Sequence, residues 1–296
     1  MKNILRLLFL FILAHIIGLI VANAFFYEYS GQTISGTNFT IEEIFFIIMG
    51  MVFFLIFVLI ILKIYKGDLL FKLLESVIVF TTSFIMFLGF LWYFNGSIIS
   101  ALVLALIFTI LKFHLTKMRN ITAIVSSIGM AVMFALFLSL LEAILFVLFM
   151  CLYDIFAVFI SKHMIFMAKE FSKRNLSFSL ASKEKVQVTK IKTTYSLQNG
   201  VKKETKEKYV EEQMEHLELG TGDISLPLAF SLVVFKTFYF NFGLAVISFI
   251  IVSLFSIFGL GYTLYFVRRN KLFLPALPPI IFGSLVGLGI YLIFLN

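Results

Sequence analysis

Nine times along the chain an apolar run of roughly 20 residues passes with almost no charged side chain, each closed by a charged or Gly/Asn/Ser-rich break. That is the length an α-helix rising 1.5 Å per residue needs to cross a hydrocarbon layer about 30 Å thick. The runs lie at approximately 5–26, 42–62, 73–94, 97–114, 121–140, 142–161, 221–240, 242–266 and 272–295. Two of the breaks are short. One is Asn95-Gly96-Ser97; the other, Ser139–Glu142, interrupts a stretch of about 40 residues that is too long for a single crossing. Composition agrees, with 61% hydrophobic residues, 14% charged residues and 39 Phe in 296, against about 45–50% apolar and 25% charged in soluble domains. The expected fold class is therefore an all-α membrane protein of nine transmembrane helices. Soluble, disulfide-rich secreted and disordered classes are excluded. The single cysteine, Cys151, supports neither an internal disulfide nor a cysteine metal site.

The charges orient the helices. With the N-terminus in the cytoplasm, 23 of the 24 Lys and Arg residues fall in inner segments, twelve of them between 162 and 219, and only Lys236 falls outside. A wrong helix count would scramble this alternation, so the chain is expected to have its N-terminus cytoplasmic and its C-terminus extracytoplasmic. An alternative for the first run is a cleaved signal peptide, since Lys2 and Arg6 precede it and Ala22-Asn23-Ala24 looks like a small-x-small cleavage site. The run exceeds the usual 7–15-residue signal core, which favours a retained helix.

Three regions follow: 1–161 with six helices, a cytoplasmic loop over 162–219, and 220–296 with three helices. Within the loop, Lys185–Leu197, Asn199-Gly200 and Val201–Val210 read as a β-hairpin with a type I′ turn. The same Lys/Glu mixture, including Glu211, Glu212, Glu215 and Glu218, equally suits a solvated loop.

Of sixteen acidic residues, four fall on the outer side (Glu28, Glu42, Glu43 and Glu142), ten in inner segments or at their edges, and two, Asp154 and Asp223, inside predicted spans. An ionised Asp at mid-helix costs about 2.5–3.5 kcal/mol on insertion scales, so such residues are usually functional and usually paired. Asp154 lies about seven residues before the cytoplasmic end of the sixth span. Asp223 lies about six residues after Leu217, where the seventh can begin, so both sit about 9–10 Å deep on consecutive antiparallel helices. Two carboxylates meeting in low dielectric are expected to share one proton and titrate as a unit. One member can then take a proton from water while the other donates to a peptide carbonyl, as in aspartic proteases. Gly220 and Gly222 would loosen the helix start beside Asp223, and Tyr153 can hydrogen-bond next to Asp154.

Other hydrolytic chemistries find no support. His-Glu-x-x-His and Gly-x-Ser-x-Gly are absent, and His15, His114, His163 and His216 are scattered and read as helix-end or loop residues. No metal and no cofactor are expected. On these residues alone a proton- or cation-coupled transporter, with the two Asp as a relay, stands level with a protease. A non-enzymatic membrane scaffold would leave the acid pair without a purpose.

Three separated motifs decide between them. Tyr153-Asp154 in the sixth span, Gly220-Thr221-Gly222-Asp223 at the seventh and Pro275-Ala276-Leu277 at the ninth are similar to those of the presenilin and signal peptide peptidase superfamily of intramembrane aspartyl proteases. The chain most resembles its archaeal presenilin homologues. The resemblance implies a presenilin-like fold in a prokaryotic cell membrane, with Asp154 and Asp223 as the catalytic pair. It also implies that Pro275-Ala276-Leu277 supports the site or the substrate. Substrates would be transmembrane proteins or peptides, preferentially with their N-terminus outside. They would pair as an added strand with His216–Leu219 or the hairpin. The short N-terminal tail and modest loop depart from animal presenilins. An active single chain or homo-oligomer is expected, without accessory subunits and with no nucleic-acid partner.

Overall fold

A computed structural model describes residues 2–29, 49, 60, 67, 69–115, 118–161, 179–198, 201–270 and 275–295, with the backbone alone over 181–217. The expected second span lies outside these residues, apart from Met49 and Ile60. The elements in chain order are α1 (Lys2–Tyr29), α2 (Leu69–Trp92), α3 (Ile98–His114), α4 (Arg119–Phe137) and α5 (Leu140–Ile155). A π-helical turn (Phe156–Ile160) follows, then β1 (Ser179–Gln198), β2 (Val201–Gly220), α6 (Gly222–Thr237), α7 (Phe242–Asn270) and α8 (Leu277–Leu295). Among the described residues six helices are long and apolar enough to cross a membrane: α1, α2, α4, α5 with its π-helical extension, α7 and α8. At 17 and 16 residues, α3 and α6 are shorter.

Helix α6 occupies the centre. Every residue from Asp223 to Phe235 is buried, and α1, α4, α5, α7 and α8 all pack on it. Being apolar on all sides, it is what a helix enclosed by other helices must be. At the periphery, α1 presents Leu7, Phe11, Ala14 and Val21 to this core and Leu5, Phe9, Ile12, Ile16 and Ile20 outward. Both faces repeat at helical spacing and both are apolar, because one meets protein and the other lipid. Ala22-Asn23-Ala24 lies within α1; Asn23 donates to the Tyr93 hydroxyl (3.0 Å) and accepts from that of Tyr239 (3.0 Å). His15 is a buried residue in the middle of α1, not a helix-end one, with its ring 4.3 Å from that of Phe11.

Small residues set the closest helix crossing. Ala123, Ser126, Ser127, Gly129 and Ala131 of α4 are buried, and a Cβ at Gly129 would overlap the Thr82 carbonyl oxygen of α2. Backbone cannot rotate away as a side-chain tip can. We expect Gly129→Ala to destabilise the α2–α4 crossing by about 1–3 kcal/mol, read as a lower thermal midpoint in detergent; an unchanged midpoint would contradict the packing.

Two charged residues at membrane depth are accommodated locally. Lys236, the one cation expected outside, donates to the carbonyls of Leu138 (2.7 Å) and Leu136 (3.4 Å), closing the C-terminus of α4. The break between α4 and α5 is set by Glu142, whose carboxylate accepts from the Ser139 amide at 2.7 Å. On the other side of the bundle, Glu75 of α2 forms an ion pair with Lys112 of α3.

The segment between α5 and α6 contains a two-stranded antiparallel sheet that runs from Ser179↔Gly220 to Gln198↔Val201. The strands are longer than the alternation between Lys185 and Val210 suggests, while the Asn199-Gly200 turn itself lies outside the described residues. Its base is tied down: the cross-strand neighbours Leu180 and Leu219 enter the main hydrophobic core.

Candidate active site

Asp154 is the penultimate residue of α5, immediately before the π-helical turn. Single π-turns inside helices concentrate at functional positions because they break the regular backbone ladder. The carboxylate is buried; its Oδ2 accepts from the Leu277 amide at 3.2 Å, and its Oδ1 has no hydrogen-bond partner among the described residues. Leu277 opens α8, where the first amides of a helix have no intrahelical acceptor and point outward. Leu277 of the Pro-Ala-Leu segment and Asp154, 123 residues apart in sequence, are thus in direct contact. Pro275 and Leu277 are buried there and Ala276 is half-buried.

Asp223 occupies the first turn of α6 and not a mid-helix position, because β2 continues through Gly220 and the helix begins only at Gly222. Its Oδ2 accepts from the Gly220 amide at 3.2 Å. A Cβ on Gly220 would stand 3.1 Å from the same oxygen, closer than nearly all real Cβ contacts, so glycine lets the strand end approach the carboxylate. The carbonyl of Thr221 accepts from Ser127 Oγ of α4 at 3.3 Å, and Gly222 is exposed. Asp154 and Asp223 are both buried, and Asp223 lies within electrostatic reach of Asp154. Tyr153, half-buried, lies within electrostatic reach of Asp154.

Beside the start of α6 a cavity of about 110 Å³ lies between α2, α4 and α6, lined by Ile78, Val79 and Met130 together with Thr82, Ser126, Ser127, Thr221, Gly222 and Ser225, so that its wall is mostly apolar. A space of this size has room for water. Ser126 Oγ is buried and has no protein partner among the described residues.

Three residues at the site carry no motif. Ser127 and Arg119 belong to α4, and Arg119 reaches the base of the hairpin (Ser179 Oγ, 2.6 Å). Pro227 stands four residues after Asp223, where its missing amide deprives the Asp223 carbonyl of the usual i to i−4 donor. A proline at that spacing is a readable signal for a loosened helix start; Arg119 and Ser127 leave none.

The geometry agrees with what comparison finds. Among solved structures, that of a presenilin-family intramembrane aspartate protease superposes with a TM-score of 0.58 at 17% identity, covering 97% of this chain and 95% of the other. No curated protein sequence matches. The family model described as signal-peptide peptidase, presenilin aspartyl protease matches residues 8–296. Buried acids brought together on α5 and α6, a Pro-Ala-Leu amide on one of them and a match over nearly the whole length lead to one conclusion: the chain belongs to the signal-peptide peptidase and presenilin aspartyl protease family.

Proposed function

We propose that the protein is an intramembrane aspartyl endopeptidase in which Asp154 and Asp223 activate water to hydrolyse peptide bonds within or near transmembrane segments. The observation that carries this reading is the Leu277 amide on Asp154 Oδ2, which leaves Asp154 Oδ1 without a protein partner on an acid adjoining Asp223. In this mechanism the pair holds one proton. The ionised carboxylate removes a proton from water as the oxygen attacks the scissile carbonyl carbon, and the protonated partner donates to the carbonyl oxygen. Collapse of the tetrahedral intermediate expels the amine, which takes a proton from the pair. The cavity that Gly222 borders is the proposed source of the water. The family match lends nothing to the transporter reading.

The proposal extends to nine crossings with the N-terminus cytoplasmic and the C-terminus outside, supported by the 23 of 24 basic residues on the inner side. Substrates are transmembrane segments whose N-terminus lies outside, and an unwound substrate pairs in extended form with the backbone near β2. The chain acts without accessory subunits, alone or as a homo-oligomer.

The test uses the purified chain with a single-span substrate in detergent and maps the products. Leu277→Pro deletes the amide that binds Asp154 at a helix position where proline is well tolerated. Its kcat is expected to fall about 10²-fold, the scale for losing one preorganised donor. Leu277→Met keeps the amide and is expected to keep most of the activity. Equal activity of both variants would refute this role.

A further inference from the structure

Arg119 stands at the first position of α4, where a cation opposes the positive end of the helix dipole and where no acidic residue offsets it within the first turn. Its placement follows from what it reaches. One guanidinium nitrogen donates to Ser179 Oγ at 2.6 Å and to Glu218 Oε1 at 3.3 Å, and Ser179 Oγ in turn donates to Glu218 Oε2 at 3.3 Å. The three side chains close a small ring across the base of the hairpin.

That base is the rung that matters. Ser179 pairs with Gly220, and the Gly220 amide is the donor to Asp223 Oδ2. A guanidinium anchored in α4 therefore holds both strands at the position from which the backbone contacts the acid. Beneath the ring, Leu180 and Leu219 fill the core on one side of the sheet, but apolar packing resists lateral sliding less than a set of charge-assisted hydrogen bonds does.

We infer that Arg119, acting through Ser179 and Glu218, is a positioning residue for Asp223. It fixes where β2 ends, and hence where the Gly220 amide orients the carboxylate. The inference rests on the assignment of Asp223 to the catalytic pair.

The experiment measures kcat and KM of the full chain on a single-span substrate, and the affinity of a hydroxyl-bearing transition-state analogue. The variants are Arg119→Met, which keeps the aliphatic stem, Glu218→Gln, and the double exchange Arg119→Glu with Glu218→Arg. Arg119→Met and Glu218→Gln are expected to lower kcat by about 10- to 100-fold, the scale of a small displacement at a reacting group. KM should change little and analogue binding should weaken in parallel with kcat. The double exchange should recover much of the loss. Lys112→Met is the comparator for instability alone, expected to lower the thermal midpoint without changing kcat of the folded enzyme. Unchanged kcat in Arg119→Met and Glu218→Gln, or a rise in KM with kcat intact, would overturn the inference. Asp223→Ala separates the two levels. If it remains active, the catalytic assignment falls; if it is inactive while Arg119→Met turns over normally, only the positioning role falls.

Discussion

Asp154→Ala and Asp223→Ala are each expected to abolish cleavage of a single-span substrate, a loss of at least about 10²–10⁴-fold, which is the usual share of a positioned general acid or base. Asp→Asn at either position should do the same, since an amide neither takes a proton from water nor gives one to a carbonyl at neutral pH. The two single variants should be nearly as inactive as the double, because a pair that shares one proton works as a unit and its members are not additive. The same substitutions should not lower the thermal midpoint. Asp154 is 2% exposed and Asp223 6% exposed, and one oxygen of Asp154 has no partner among the described residues. Removing an acid so placed relieves a cost of burial. Cleavage at the wild-type rate by both variants would end the protease mechanism. Loss of activity together with a collapse in stability would instead mark the acids as structural.

The second large effect concerns Glu75 and Lys112, which join α2 to α3 through an ion pair. With side chains only 1% and 8% exposed, the pair resembles a buried bridge, where removing one partner costs about 3–5 kcal/mol and replacing both with apolar side chains costs far less. Lys112→Met removes the ammonium and its ion pair with Glu75, and should lower the thermal midpoint. Glu75→Gln should also lower it, although Lys112 keeps its contact with the Phe113 ring, 4.2 Å from the centroid. Glu75→Leu combined with Lys112→Met should recover most of the stability. Thermal midpoints of the four proteins in one detergent check this; additive losses in the double variant would exclude the pairing. Because α3 packs chiefly on α2, its detachment is the expected first step of unfolding in Lys112→Met.

What could be read beforehand and what could not divide along a physical line. Membrane insertion depends on stretches of like chemistry, and the breaks at Asn95-Gly96-Ser97 and Ser139–Glu142 fall where the helices end. The acids stood out because hydrocarbon penalises them, and the structure has Asp154 near the end of α5 and Asp223 in the first turn of α6. Helix faces were illegible, since Phe9 facing outward and Phe11 facing inward are the same residue two positions apart. In a soluble protein polarity would separate them; in a bilayer only small residues such as Gly129 mark a contact. The first-turn position of Asp223 was hidden because β2 runs on through Gly220 to within two residues of the helix, leaving Gly220, Gly222 and the later Pro227 as the signs of a boundary. Pairings at long range, such as Glu75 with Lys112 and Arg119 with Glu218, depend on helix rotation and register that composition does not encode.

Both acids share one property: each is bound by a main-chain amide, Leu277 for Asp154 and Gly220 for Asp223. Alanine scanning is blind to such bonds, since it changes side chains and leaves every amide in place. The residues at 277 and 220 can therefore drift within steric limits while the carboxylates keep their donors, and only proline deletes one outright. Mutational tolerance at these positions would measure the room around the acids and not the importance of the contact.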